Sequence, residues 1–141
     1  MLRKKTVVIT GASSGLGASL AVTFAEMGAN LVLFSRNQER LKEVESLCQG
    51  PGERPVIVTG NIAQPEDCER LIALAISQFG TLDYLITNAG ISMWAKFENI
   101  CDLSIFSKIM ETNYLGTVHC VYYALPHLRK SQGMIVAISS I

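Results

Sequence analysis

The chain has 141 residues, 49% of them hydrophobic and 17% charged, which suits one domain with a real core and argues against disorder. Twelve basic and twelve acidic residues cancel, so no net field recommends nucleic acid or an anionic membrane as a partner. No apolar stretch approaches a membrane span, and the first strand starts too early to leave room for a signal peptide.

The short basic run Arg3-Lys4-Lys5 reads as the solvated entrance to that strand, "TVVIT" (Thr6–Thr10), which is β-branched throughout, as a strand buried on both faces should be. A helical pattern follows. It is expected to set Leu16, Leu20, Phe24 and Met27 on one face and to stop at Gly28. "LVLF" (Leu31–Phe34) is a second strand. Leu41, Val44 and Cys48 mark a second helix, closed by the turn-rich "QGPGERP". "VIVT" (Val56–Thr59) is a third strand. Pro65, Glu66 and Asp67 open a third helix, with apolar positions at Cys68, Leu71, Ile72, Ala75 and Phe79. "LDYLIT" (Leu82–Thr87) is a fourth strand, a long fourth helix is expected over Leu103–Arg129, and "MIVAIS" (Met134–Ser139) is a fifth strand. Strand and helix alternate, and parallel strands need helical crossovers. The fold class is therefore α/β, a doubly wound parallel sheet of the Rossmann type, in one domain over residues 1–141.

Four cysteines (Cys48, Cys68, Cys101, Cys120) stand far apart with no C-x-x-C pair. They read as ordinary thiols of a reducing cytoplasm, and no metal site is expected. His119 and His127 read as ordinary helix histidines.

The first strand runs into "TGASSGLG": Thr10, Gly11, Ala12, Ser13, Ser14, Gly15, Leu16 and Gly17. Glycines allow a tight turn and close backbone approach, and the following helix offers free N–H groups and the positive end of its dipole to phosphate. A glycine-rich turn with no ligand is the bland alternative. The position at the first strand–helix junction is the context that a nucleotide loop requires.

The spacing T-G-x-x-x-G-x-G resembles the fingerprint of the short-chain dehydrogenase/reductase family. Three further blocks match in order. "TNAG" (Thr87–Gly90) is similar to the family's N-N-A-G, "NYLG" (Asn113–Gly116) to its N-x-x-G, and "GMIVAISS" (Gly133–Ser140) to its fifth strand and serine. The blocks "METNYLGTVHCVYYALPHLRKS" and "GMIVAISSI" most resemble the hydroxysteroid-dehydrogenase-like branch, which hints at a lipophilic substrate. The resemblance implies hydride transfer between a nicotinamide cofactor and a ketone or aldehyde/alcohol pair.

An acid at the end of strand two would bind a ribose 2′-hydroxyl and repel a 2′-phosphate, whereas an arginine would do the reverse. The sequence there is Phe34, Ser35, Arg36, Asn37, with Arg36 about 20 residues beyond the last glycine. NADP(H) is thus favoured over NAD(H), with Ser35, Arg36 and Asn37 around the 2′-phosphate; the alternative is a solvated arginine at a strand exit. Asn61, followed by Ile62, stands where many relatives carry an aspartate near the adenine. Asn88, Ala89 and Gly90 should pass their backbone along the cofactor.

Asn113 is expected on a mostly apolar helix stripe with Phe106, Met110, Thr117 and Val121. There it is either a satisfied core amide or, by the resemblance, the residue holding a water that links the catalytic lysine to solvent. Ser140 matches the catalytic serine, which bonds the substrate oxygen; a turn-capping serine is the alternative, and Ser139 is the structural member of the pair. Asp83 matches a family acid that supports strand four and the adenine side. Met93, Trp94 and Phe97 either line the substrate region or pack over helix four.

The family's acid/base pair lies in Y-x-x-x-K, expected about 13 residues past the serine and so beyond Ile141. None of Tyr84, Tyr114, Tyr122 or Tyr123 is followed four residues later by lysine. The chain therefore reads as the N-terminal part of such an enzyme, truncated after the fifth strand and inactive alone. The alternative is a non-catalytic nucleotide-binding remnant. Strand five should form an open, aggregation-prone edge, and helix four should lack the neighbour it has in the family's homo-oligomers.

Overall fold

The computed structural model describes residues 2–140. Five strands and their helices alternate: β1 (Thr6–Thr10), α1 (Gly15–Glu26), β2 (Asn30–Ser35), α2 (Gln38–Leu47), β3 (Val56–Thr59), α3 (Pro65–Phe79) and β4 (Tyr84–Thr87). After a 3-10 turn at Phe97–Asn99 come α4 (Ser104–Met110), α5 (Gly116–Ser131) and β5 (Met134–Ala137). The strands lie in the order β3-β2-β1-β4-β5, all parallel, with Ile9 opposite both Leu33 and Ile86. The order reverses beside β1. In such a sheet that crevice, at the carboxyl ends of the strands, is where ligands bind.

Alternating strand residues feed two cores. Val8, Val32, Val58 and Leu85 face α3 and α5, where they meet Leu71, Ile72, Cys120 and Leu128. Val7, Ile9, Leu31, Leu33 and Ile86 face α1 and α2, where they meet Ala21, Ala25, Leu41 and Val44. β1 and β2 are covered on both sides, which is why they lack polar alternation.

The expected face of α1 is corrected by the structure. Gly17, Ala21 and Ala25 are its buried residues, while Leu16 is 51% and Met27 37% exposed. Leu20 and Phe24 pack only at the rim of that core. Small side chains let the helix axis approach the sheet closely, and the large residues flank the contact.

The expected long fourth helix is continuous but uneven. A π turn at Glu111–Leu115 separates α4 from α5. Its extra residue lets Gly116 lie on Ile62, where a Cβ would meet the Ile62 side chain at 2.8 Å, while Asn113 turns to the loop after β4. The stripe around Asn113 is not a buried face: Phe106, Met110 and Asn113 are all exposed.

β5 is the edge of the sheet, tied to β4 through Met134 N–H to Asp83 O (2.9 Å) and Ile138 N–H to Thr87 O (3.0 Å). Asp83 accepts from Lys5 Nζ (2.8 Å) and from Thr6 N–H (3.0 Å). It therefore braces the amino ends of β1 and β4. The expected support of strand four holds, but Asp83 lies at the amino ends of the strands, away from their carboxyl ends.

Candidate nucleotide site

A cleft of about 780 Å³ opens over the carboxyl ends of β1 to β4. The glycine loop forms one wall. Gly11 has φ +65°, and a Cβ there would sit 2.8 Å from Ala89 Cα. At Gly17 a Cβ would collide with the Gly11 carbonyl and lie 2.6 Å from Asn88 Nδ2. Thr10 and Asn88 lock this arrangement. Thr10 Oγ1 accepts from the N–H groups of Asn88 and Ala89, both at 3.0 Å. Asn88 Nδ2 donates to the carbonyls of Thr10 (3.1 Å) and Gly11 (3.2 Å).

Ser14 precedes α1 in extended conformation, and no side chain caps that helix. Its first-turn N–H groups therefore lack a side-chain acceptor, as an anion-binding helix start requires. Gly11, Ser13 and Ser14 line the cleft; Thr10 and Gly17 hold the loop from behind, and Gly15 and Leu16 stand outside the lining.

The exit of β2 forms the second wall. The buried Ser35 accepts from Asn37 N–H at 3.1 Å, and Asn37 Oδ1 caps α2 through Arg40 N–H at 3.0 Å. Asn37 lines the cleft, but its side-chain oxygen is committed to the cap. Arg36 and Arg40 both line the cleft. Arg40 was not singled out from sequence. Its signal was there to read: Asn37 is a good N-cap, and a cap at 37 puts residue 40 in the first turn of α2.

Beneath the β3 exit, Asp67 Oδ2 accepts from Asn61 N–H (2.8 Å). Arg70 Nη2 bridges Asp67 Oδ1 (2.7 Å) and the Thr59 carbonyl (2.9 Å). The Asn61 N–H first, and Arg70 second, hold the Asp67 carboxyl below the usual carboxylate range. Asn61 Oδ1 in turn accepts from Ala63 N–H at 3.0 Å. Ile62 is buried, and its carbonyl takes the Cys68 thiol at 3.3 Å and faces His119 Nδ1 at 3.4 Å. Contact with Cys68, reinforced by burial, pushes the Cys120 thiol far up. Both thiols sit in the core.

The β4 exit continues through Asn88, Ala89 and Gly90 to Ile91, all lining the cleft. Asn113 uses both ends of its amide on Ile91: Oδ1 accepts from Ile91 N–H, and Nδ2 donates to Ile91 O, each at 2.8 Å. Asn113 is thus an exposed amide, bonded at both ends, that fixes the loop edge, and its neighbour Thr112 reaches the lining. Ser140 lies just past β5, at the same end of the sheet as Asn88–Gly90, outside that lining. Trp94 is fully exposed, and Phe97 touches Phe106 with ring centroids 6.0 Å apart.

Among the described residues no group of three or more His, Cys, Asp or Glu is placed to hold a metal, and no helix is long and apolar enough to cross a membrane.

The family model for short chain dehydrogenases matches residues 5–141. The chain belongs to the short-chain dehydrogenase family. It is 46% identical over 138 residues to the 11-beta-hydroxysteroid dehydrogenase A of Arachis hypogaea, covering 97% of this chain and 40% of that protein. It is 42% identical to the 11-beta-hydroxysteroid dehydrogenase-like 3 of Arabidopsis thaliana, covering 97% of this chain and 45% of that one. The chain thus spans less than half the length of these curated relatives. A short-chain type dehydrogenase/reductase from Mycobacterium marinum superposes with TM-score 0.90 at 26% identity, covering 99% of this chain and 57% of the other. The apo glucose dehydrogenase of Caenorhabditis elegans superposes with TM-score 0.87, also at 26% identity, covering 99% and 56%.

The family's oxidoreductases use a nicotinamide cofactor, and the residues present fit its dinucleotide. The Gly11/Gly17 cradle has no room for side chains, and α1 starts uncapped behind Ser13 and Ser14 of the cleft lining, as an anion-binding helix start requires.

Proposed function

We propose that this chain is the nucleotide-binding part of an NADP(H)-dependent oxidoreductase that interconverts a ketone or aldehyde and an alcohol. One observation carries the cofactor choice: the β2 exit puts Arg36, and no acid of its own, into the cleft lining. A dinucleotide would lay its pyrophosphate on the start of α1, its ribose against Ser35 and Arg36, and its adenine by Asn61 and Ile62. Asn88–Gly90 would guide it toward the nicotinamide end. Bound there, the nicotinamide supplies or accepts hydride.

Ser140 is the group of this chain that would hold the substrate oxygen by hydrogen bond. Asn113 would act behind the site, keeping the Ile91 edge in place and holding a water toward a lysine. The Y-x-x-x-K pair that exchanges the proton is not among these 141 residues. Proton transfer is therefore assigned to residues outside this sequence, and these 141 residues alone should not reduce carbonyls. The names of the plant relatives support a lipophilic, steroid-like substrate class. A cytoplasmic location and a homo-oligomeric whole protein are the companion proposals.

The test is calorimetric titration with NADPH and NADH. Tighter binding of NADPH, with the preference cut by Arg36→Ala, is the expected result. Equal affinity in the parent overturns the cofactor assignment. The second reading, a non-catalytic nucleotide-binding module, would be excluded by carbonyl reduction by the whole protein.

A further inference from the structure

The start of α2 carries an electrostatic arrangement that helix physics disfavours. Cations are unfavourable at the positive end of a helix dipole. Yet Arg36 stands just before the Asn37 cap and Arg40 is in the first turn, with its own N–H on that cap. Both line the same cleft. Elsewhere Arg54 and Arg70 each hold a carboxylate at 2.7 Å. Neither guanidinium of the α2 pair makes an ion pair or side-chain hydrogen bond among the described residues. The acid nearest in sequence, Glu39, also lines the cleft, but it pairs with Lys42 at 3.3 Å. Two unpaired cations and a helix N-terminus thus share one wall, where the one acid, Glu39, is held by Lys42.

We propose that Arg40 is the second arm of a two-guanidinium clamp, closing from α2 on the phosphomonoester dianion whose first arm is Arg36. This rests on the NADP(H) reading and adds to it a specificity-determining residue on a different element. A dianion on the ribose 2′ position would offset three like-signed neighbours together. Two planar forks would grip it from the strand side and the helix side, which a single arginine at the strand exit cannot do. The same arrangement makes Arg40 a small burden on the fold when no anion is bound.

The experiment titrates the protein with adenosine 2′,5′-bisphosphate, adenosine 3′,5′-bisphosphate, 5′-AMP and inorganic phosphate, for the parent, Arg40→Gln, Arg40→Lys and Arg36→Ala. Arg40→Gln should weaken the 2′,5′ isomer about tenfold and leave 5′-AMP within about twofold. Arg40→Lys should fall between. The melting temperature of Arg40→Gln without ligand should rise by about 1–4 °C, an effect that a merely structural arginine would not give.

A parent that does not prefer the 2′,5′ isomer over 5′-AMP overturns the NADP(H) reading and the clamp with it. A parent that prefers it, with Arg40→Gln preferring it equally, overturns the clamp alone. Equal weakening of all nucleotides by Arg40→Gln makes Arg40 a scaffold residue, and tight binding of the 3′,5′ isomer or free phosphate makes the wall a general anion site. Either result also overturns the clamp.

Discussion

β1 and β5 are written in the same alphabet and live in different surroundings. "TVVIT" is buried at every position, flanked by β2 and β4 and covered by helices on both faces. "MIVA" is equally apolar, yet Met134 is 56% and Ile135 37% exposed: β5 has a strand on one side only and little cover on its faces. An apolar run records the surface a strand needs covered; only the structure shows how much of that cover a given stretch of chain supplies. The same contrast runs through the helices. α3 buries Cys68, Leu71, Ile72 and Ala75, whereas α4 buries no residue and α5 keeps Val118, Tyr122 and Leu125 exposed.

The contrast breaks most visibly if charge is placed at its fully buried end. Val8→Asp puts a carboxylate among Val32, Leu85 and the α3/α5 face, at a position with 0% exposure. It should cost more than about 4 kcal/mol and leave the chain unfolded by circular dichroism. A folded Val8→Asp would mean that the β1 core is far softer than its packing implies.

Next in size is Gly17→Ala. The new methyl would strike a backbone carbonyl, which yields less readily than a side-chain tip. A loss of roughly 1–3 kcal/mol in urea unfolding is expected, with nucleotide binding reduced further because the loop must move. An unchanged midpoint would show that the loop is not held by Thr10 and Asn88.

These two positions also mark what could be read in advance. The strands and their order of appearance were legible because short β-branched runs between turn signals leave few alternatives. The glycine loop was legible because its spacing sits where a strand becomes a helix. The buried face of α1 was not legible: hydropathy ranks Leu16 and Phe24 above Gly17 and Ala21, while close helix–sheet approach rewards the small residues. The π turn and the Asn113–Ile91 pair escaped for another reason. They depend on a partner outside the helix, in the loop after β4, and no local periodicity carries that information. Arg40 was hidden in an ordinary amphipathic helix until the Asn37 cap fixed its phase.

A smaller effect is expected in the loop after β4, the strand that separates β1 from β5. Asn113→Ala removes both bonds to Ile91 on an exposed surface, at about 1–2 kcal/mol for the pair. Amide exchange at Ile91 should speed up while exchange in β1 stays unchanged. Asn113→Asp keeps the acceptor and loses the donor, so it should fall between. Exchange rising equally at Ile91 and in β1 would mean that Asn113 supports the whole sheet rather than one edge.

On the covered side, the Asp67 brace should show in acid. Its folded pKa lies below the ordinary value of about 3.8, chiefly through the Asn61 N–H and then Arg70. Its stabilising contribution is therefore complete above that ordinary value and is lost as pH falls through the lower folded value. Asp67→Asn should flatten that part of the acid limb and loosen the Asn61 turn at neutral pH. An acid limb identical in parent and variant would remove Asp67 from the brace.

The smallest effect on stability belongs to the exposed end of the comparison. Met134→Lys places a charge on an edge strand whose side chain is already largely in solvent, so unfolding should shift by no more than about 0.5 kcal/mol. Its effect on association should be larger. An uncovered apolar edge is a template for pairing with another chain, and lysine is a residue that blunts such edges. The variant should sediment as a smaller species than the parent at equal concentration. If Met134→Lys instead destabilised the fold as Val8→Asp does, β5 would have to be packed as tightly as β1, and the difference between the two strands would lie in their neighbours' identity rather than in their cover.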